Sequence, residues 1–132
     1  MDDQVIRVLV VDDHKILRDA LATFFETCDD LVMIGEAGNG QEAIEACTQL
    51  QPDVVLMDLL MPVMDGISAT RLIHQQYPDI KILVLTSLGD GMQLQEAIEA
   101  GASGYLLKNT SIEHLADTLR QLPSGSSMKV NR

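Results

Sequence analysis

The sequence predicts an α/β domain built on a single parallel sheet, and three observations carry that expectation. Short apolar runs alternate five times with stretches of 3.6-residue apolar periodicity, the rhythm of βαβ units, because parallel strands can be joined only by crossovers. The inner runs, "VLVV" at 8–11, "VVLM" at 54–57 and "ILVL" at 82–85, are almost continuously aliphatic, as expected of strands covered by helices on both faces. The informative polar residues stand at the ends of those runs: Asp12 and Asp13, Asp58, Thr86 and Lys108.

Taken in order, Val5–Val11 is expected to be a strand, and Ile16, Leu17, Ala20, Leu21, Phe24, Phe25 and Cys28 recur at helical spacing after it. Leu31–Ile34 reads as a second strand, with a helix over Gly40–Leu50. Asp53–Met57 is a third strand before a helix over Gly66–Gln76, and Ile80–Leu85 a fourth before a helix over Gly91–Ala100. Gly104–Leu107 is a short fifth strand. Ser111–Leu122 closes the domain as a helix with Ile112, Leu115, Ala116, Leu119 and Leu122 on one face. The hexapeptide "QEAIEA" occurs at 41–46 and 95–100, but the flanking sequences differ. It is read as two amphipathic helices written in the same good helix formers rather than as a repeat.

A chain of 132 residues with 46% hydrophobic content and no tryptophan suits one domain with an aliphatic core. Its net charge of −11 opposes direct contact with phosphate backbones or anionic lipid, so neither DNA nor a membrane is an expected partner of this domain itself. Cys28 and Cys47 fall at apolar helical positions outside any metal-binding spacing and are expected to be reduced core thiols. The acidic start "MDDQ" and the absence of a run near the roughly 18 apolar residues of a membrane span point to a cytoplasmic protein. From Pro123 the composition changes to "PSGSSMKVNR". The domain is therefore expected to cover 1–122, with 123–132 a linker or tail.

In an open parallel sheet the carboxyl ends of the strands share one edge, where ligands bind. Asp12, Asp13 and Asp58 would meet there. At about 5 Å and an effective dielectric near 20, each like pair costs on the order of 3 kcal/mol, so such a site protonates in part or recruits a cation. All-oxygen ligation suits a hard divalent ion, and Mg²⁺ retaining water fits better than a full Ca²⁺ cage. The plainer reading of either aspartate is an N-cap of the first helix. That of Lys108 is an ion pair with the acids, against a role in holding a phosphoryl oxygen. Thr86 reads equally well as an ordinary loop hydroxyl. His14, a lone histidine at a helix start, reads as a polar neighbour, against a role as ligand or base.

The set "VVDDH" at 10–14, "LMDLLMPVMDG" at 56–66, "VLTS" at 84–87 and "GYLLK" at 104–108 resembles the receiver domain of two-component response regulators. The likeness spans about residues 5–122. The segments "DDHKILRDAL", "GEAGNGQEAIE" and "AGASGYLLKNT" are most similar to the LuxR/NarL-type subfamily, whose members carry a C-terminal helix-turn-helix domain.

The resemblance implies a flavodoxin-like (βα)5 three-layer sandwich with strand order 2-1-3-4-5. It also implies that Asp58 is the phosphoacceptor, charged by the phosphohistidine of a sensor histidine kinase. Asp13, Asp58, the carbonyl of Leu60, and Asp12 through water would hold Mg²⁺, and Lys108 would meet the phosphoryl group. Thr86 and Tyr105 would form the switch. Phosphorylation would promote homodimerisation through the first and last helices, and DNA would be reached only through a C-terminal domain outside this sequence. Such a protein assists its own phosphorylation and is not a turnover enzyme.

Met61-Pro62 would shape the loop beside Asp58, and Asp65 would cap the third helix. Leu60 and Leu88 would flank the approach of hydrolytic water and, being apolar, make self-dephosphorylation slow. Many receivers have a cis proline after the active-site lysine, whereas Asn109 follows Lys108 here. Other α/β readings lack their motifs. There is no Ser/Thr/Gly-rich phosphate loop after the first strand for a flavodoxin, and "GEAGNG" at 35–40 has the wrong spacing for a dinucleotide fold. An aspartate-nucleophile phosphatase would need DxDxT, and no acid stands at His14 or Lys15. A receiver serving only as an unphosphorylated interaction module is the remaining alternative.

Overall fold

The computed structural model describes residues 5–59, 65–87 and 91–122. Five strands, β1 (Ile6–Val11), β2 (Leu31–Ala37), β3 (Val54–Asp58), β4 (Lys81–Thr86) and β5 (Gly104–Leu107), alternate with five helices. The helices are α1 (Lys15–Glu26), α2 (Gly40–Leu50), α3 (Gly66–Gln76), α4 (Gly91–Ala100) and α5 (Ile112–Gln121). All strand pairs are parallel, in the order β2-β1-β3-β4-β5. This is the flavodoxin-like sandwich expected from the resemblance.

Side chains of a strand alternate between faces, so the sheet divides its core in two. Leu9, Val11, Val55, Met57, Ile82 and Val84 meet Ala43 and Cys47 of α2, Ala69 and Ile73 of α3, and Ala97 of α4. On the other face Val8, Val10, Leu56, Leu83 and Leu106 meet Leu21 and Phe25 of α1 and Leu115, Ala116 and Leu119 of α5. Three of the helix residues on the first face are alanines, which lets three helices lie close over one side of the sheet.

The boundaries differ from expectation in instructive places. β2 runs three residues beyond Ile34, because Gly35, Glu36 and Ala37 pair with Leu9, Val10 and Val11 after a register shift in β1. Two non-aliphatic residues hid that extension. β3 and β4 end one residue later than predicted, so Asp58 and Thr86 are the last residues of their strands and not the first of the loops. On α1, Ile16 is 85% exposed and does not join the buried face. The apolar residues of α5 are instead all used in the core.

Caps explain where helices begin. Asn39 accepts from Glu42 N, Asp65 from Ser68 N, as predicted, and Ser111 from His114 N. At α2's other end Gln51 adopts the left-handed region at φ 50°, and the Arg7 guanidinium donates to the carbonyls of Leu50 and Gln51. Gly66 is the glycine that sterics demand. A Cβ there would stand 2.7 Å from Leu59 Cα and overlap the Asp58 carbonyl, so α3 starts against the backbone of the β3 end. Cys47 is buried, Cys28 partly so, and both are free thiols.

Candidate functional site

β1, β3, β4 and β5 end along one edge, and each delivers a polar residue there. Asp12, fully buried, follows β1, and its N–H donates to the Ala37 carbonyl at 3.0 Å, so the backbone stays tied to β2. Asp58, also buried, ends β3 opposite Leu85. Thr86 ends β4 and is buried. Its carbonyl accepts from Lys108 N at 2.8 Å, which extends the β4–β5 ladder by one rung and fixes where the lysine departs.

Lys108 Nζ lies 3.0 Å from Asp58 Oδ1 and 3.9 Å from Asp12 Oδ2. The ammonium thus forms the ion pair expected from the plainer reading, with Asp58 and more distantly with Asp12. A crevice of about 160 Å³ opens between Thr86, Ser87, Leu107, Lys108 and Asn109. The described residues contain no cis peptide bond, so the Lys108–Asn109 bond is trans. Tyr105 is 41% exposed on β5. Leu60, whose carbonyl was an expected metal ligand, lies outside the described residues, as do Met61, Pro62, Leu88 and the 123–132 tail.

Neither Asp12 nor Asp13 caps α1. The N-cap is His14, whose side chain makes no capping bond. Asp12 Oδ1 instead accepts from both His14 N, at 2.8 Å, and His14 Nδ1, at 2.7 Å. Arg18 Nη1 donates to the Asp12 carbonyl at 2.6 Å while Arg18 Nε pairs with Glu36 at 2.9 Å. Both residues fix Asp12; His14 is the polar neighbour that the sequence suggested, and sequence reasoning missed Arg18. The adjacent "DDH" was the one local signal for His14, and Arg18 reaches Asp12 only once α1 has packed on the sheet.

The electrostatics leave room for a cation. Asp12, Asp13, His14 and Asp58 each offer a ligand atom, and these atoms lie within 4.8 Å of one another. Three carboxylates face one ammonium. Asp12 Oδ2 is buried and has no hydrogen-bond partner among the described residues, an arrangement that normally carries a desolvation penalty of about 1–3 kcal/mol or more. Carboxylate oxygens on a partly open edge suit Mg²⁺, which keeps several waters. A wider cleft of about 500 Å³, lined in part by Pro52, Tyr77, Pro78 and Lys81, lies at the opposite edge of the sheet, where β4 begins.

The response regulator receiver domain model matches residues 8–120. The chain belongs to that family. The response regulator protein VraR of Staphylococcus aureus is 42% identical over 123 residues, covering 93% of this chain and 59% of VraR. This receiver therefore spans well under two thirds of that relative's length. Among solved structures, a LuxR-family two-component response regulator from Aurantimonas sp. SI85-9A1 superposes with a TM-score of 0.86 at 32% identity, covering 94% of this chain and 89% of that one. The isolated receiver domain of RcsB from Salmonella enterica serovar Typhimurium, solved with the phosphomimetic BeF3-, gives 0.83 at 25% identity, covering 95% and 93%. Receiver domains bind Mg²⁺ at an acidic site, and Asp12, Asp13 and Asp58 form an acidic cluster here. Among the described residues no helix is long and apolar enough to cross a membrane.

Proposed function

We propose that Asp58 accepts a phosphoryl group from the phosphohistidine of a sensor histidine kinase, and that the resulting acyl phosphate switches an interaction surface of this cytoplasmic receiver. The observation that carries the reading is the placement of Asp58: buried at the end of a central strand, 3.0 Å from Lys108 Nζ, with Asp12 and Asp13 beside it. An Asp58 carboxylate oxygen attacks phosphorus, the P–N bond breaks, and the released imidazole takes up a proton. Asp12, Asp13 and Asp58 would hold Mg²⁺, joined by the Leu60 carbonyl. When bound, that ion supplies positive charge to the oxygens of the transferring group.

The protein's own contribution is positioning and charge. Lys108, freed from its pair with the Asp58 carboxylate, meets a phosphoryl oxygen and stabilises the charge that develops in transfer. The Thr86 hydroxyl donates to another oxygen. Tyr105, exposed before transfer, turns toward the space that Thr86 vacates, which shifts the population of two surfaces rather than building a new fold. The output is homodimerisation through α1 and α5, for which the exposed Ile16 of α1 offers apolar surface. Residues 123–132 lead to a C-terminal DNA-binding domain, consistent with the greater length of VraR and the LuxR-family assignment of the Aurantimonas protein. Incubation with Mg²⁺ and acetyl phosphate is expected to add one phosphoryl mass. An adduct that persists with chelator, or undiminished in Asp58→Asn, would overturn the reading.

A further inference from the structure

His14 is fixed at the acidic edge in a way the phosphoryl chemistry does not use. Its side chain is 64% exposed and makes no bond to the helix that it caps. The interactions that hold the ring are with the acids: Nδ1 stands 2.7 Å from Asp12 Oδ1 and 3.3 Å from Asp13 Oδ1. Two donors about 2.1 Å from a shared ion stand about 3.0 Å apart at right angles and about 3.4 Å apart at tetrahedral angles. The 3.3 Å distance falls within that range, and the 2.7 Å hydrogen bond to Asp12 needs to open by only about 0.3 Å on ligation. Asp58 contributes a further atom within 4.8 Å of these three. Asp12 Oδ2, buried and without a hydrogen bond among the described residues, is aimed at the same edge, where Lys108 Nζ approaches it only to 3.9 Å.

We propose that His14 supplies an imidazole nitrogen to this edge, so that the site takes a divalent first-row transition ion of the Co²⁺, Ni²⁺ or Zn²⁺ class more tightly than three carboxylates alone would hold it. The inference rests on the reading of Asp12, Asp13 and Asp58 as a cation site. Mg²⁺ prefers oxygen ligands and gains little from imidazole, whereas borderline ions gain strongly from it. His14 thus separates two classes of cation at one set of acids. With the hard ion it only steadies Asp12. With the borderline ion it is itself a ligand, and the phosphoacceptor edge becomes sensitive to transition metal.

Calorimetric titration of the 132-residue chain with Co²⁺ and separately with Mg²⁺, together with proton NMR of the Co²⁺ complex, tests this. His14→Ala is expected to weaken Co²⁺ about tenfold or more beyond its effect on Mg²⁺, which it lowers only through the lost support of Asp12. It should also abolish a hyperfine-shifted imidazole N–H resonance present in the parent protein. His14→Gln keeps a hydrogen-bond donor toward Asp12 and is expected not to restore Co²⁺ binding. Equal losses for the two ions, rescue by glutamine, or a shifted imidazole resonance that survives in His14→Ala would overturn the proposal. Co²⁺ binding through His14 without any Mg²⁺ binding would leave the proposal standing and count against the Mg²⁺ reading. Binding of neither ion would sink both.

Discussion

Replacing Asp13 with asparagine isolates the electrostatic cost of the acidic edge. Asp12 and Asp13 are neighbours in the unfolded chain as well, so the repulsion that folding creates is chiefly that between Asp13 and Asp58, whose ligand atoms lie within 4.8 Å. At that separation the pair costs about 3.5 kcal/mol at an effective dielectric of 20 and about 1 kcal/mol in water. The Asp13 side chain is 34% exposed, which moves the figure toward the lower value. Lys108 pairs with Asp58 and Asp12 and so is not disturbed. Asp13→Asn is therefore expected to stabilise the metal-free protein by about 1–2 kcal/mol, with each kcal/mol worth about 3–5 °C in Tm for a domain of this size. Urea unfolding in chelator measures it.

Adding Mg²⁺ should reverse the order. At a hundred times its dissociation constant a bound ion stabilises the native state by about 2.7 kcal/mol, and the variant should gain little. A variant less stable than the parent in chelator, or equally responsive to Mg²⁺, would refute the account of the site as a repulsive cluster that a cation relieves.

Other outcomes follow from the same structure. Gly66→Ala forces a methyl against the backbone of Asp58 and Leu59, which cannot yield as a side chain would, and should cost about 2–3 kcal/mol in urea unfolding and slow phosphoryl acceptance. Burial pushes the Cys47 thiol up from its ordinary 9.0 to about 12. The unfolded thiol ionises first, so stability is unaffected below about pH 9 and falls as pH rises across that window, with a shallower fall in Cys47→Ala. At neutral pH iodoacetamide should modify Cys28 well before Cys47. Replacing Leu60 and Leu88 together with asparagine should shorten the acyl phosphate half-life about tenfold or more, because an amide can orient water where leucine cannot. A half-life that is unchanged or longer would remove that explanation.

Much of this architecture was legible in the sequence because its signals are local. Continuous aliphatic runs mark strands buried on both faces, and helical periodicity places α2, α3 and α4 at their observed bounds. What escaped was set by tertiary contact. β2 continues through Gly35 and Glu36 because β1 pairs with it there, which no propensity reveals. The periodicity of α1 includes Ile16, yet that residue, in the first turn of the helix, stands in solvent. At the site, the five strand-end residues stood out as polar groups closing apolar runs. Arg18 did not, because an arginine on an amphipathic helix has an ordinary surface explanation until folding directs it at Asp12, and His14, legible as a polar neighbour, gave no sign of the bond it makes there.

The most direct measurement of the central claim is chemical mapping of the phosphorylated residue. Borohydride reduces an aspartyl phosphate to homoserine, and peptide mass analysis of the acetyl phosphate-treated, reduced chain locates it. Homoserine is expected at position 58 alone, only when Mg²⁺ was present. Homoserine at Asp12 or Asp13, or a chain without any, would contradict the account.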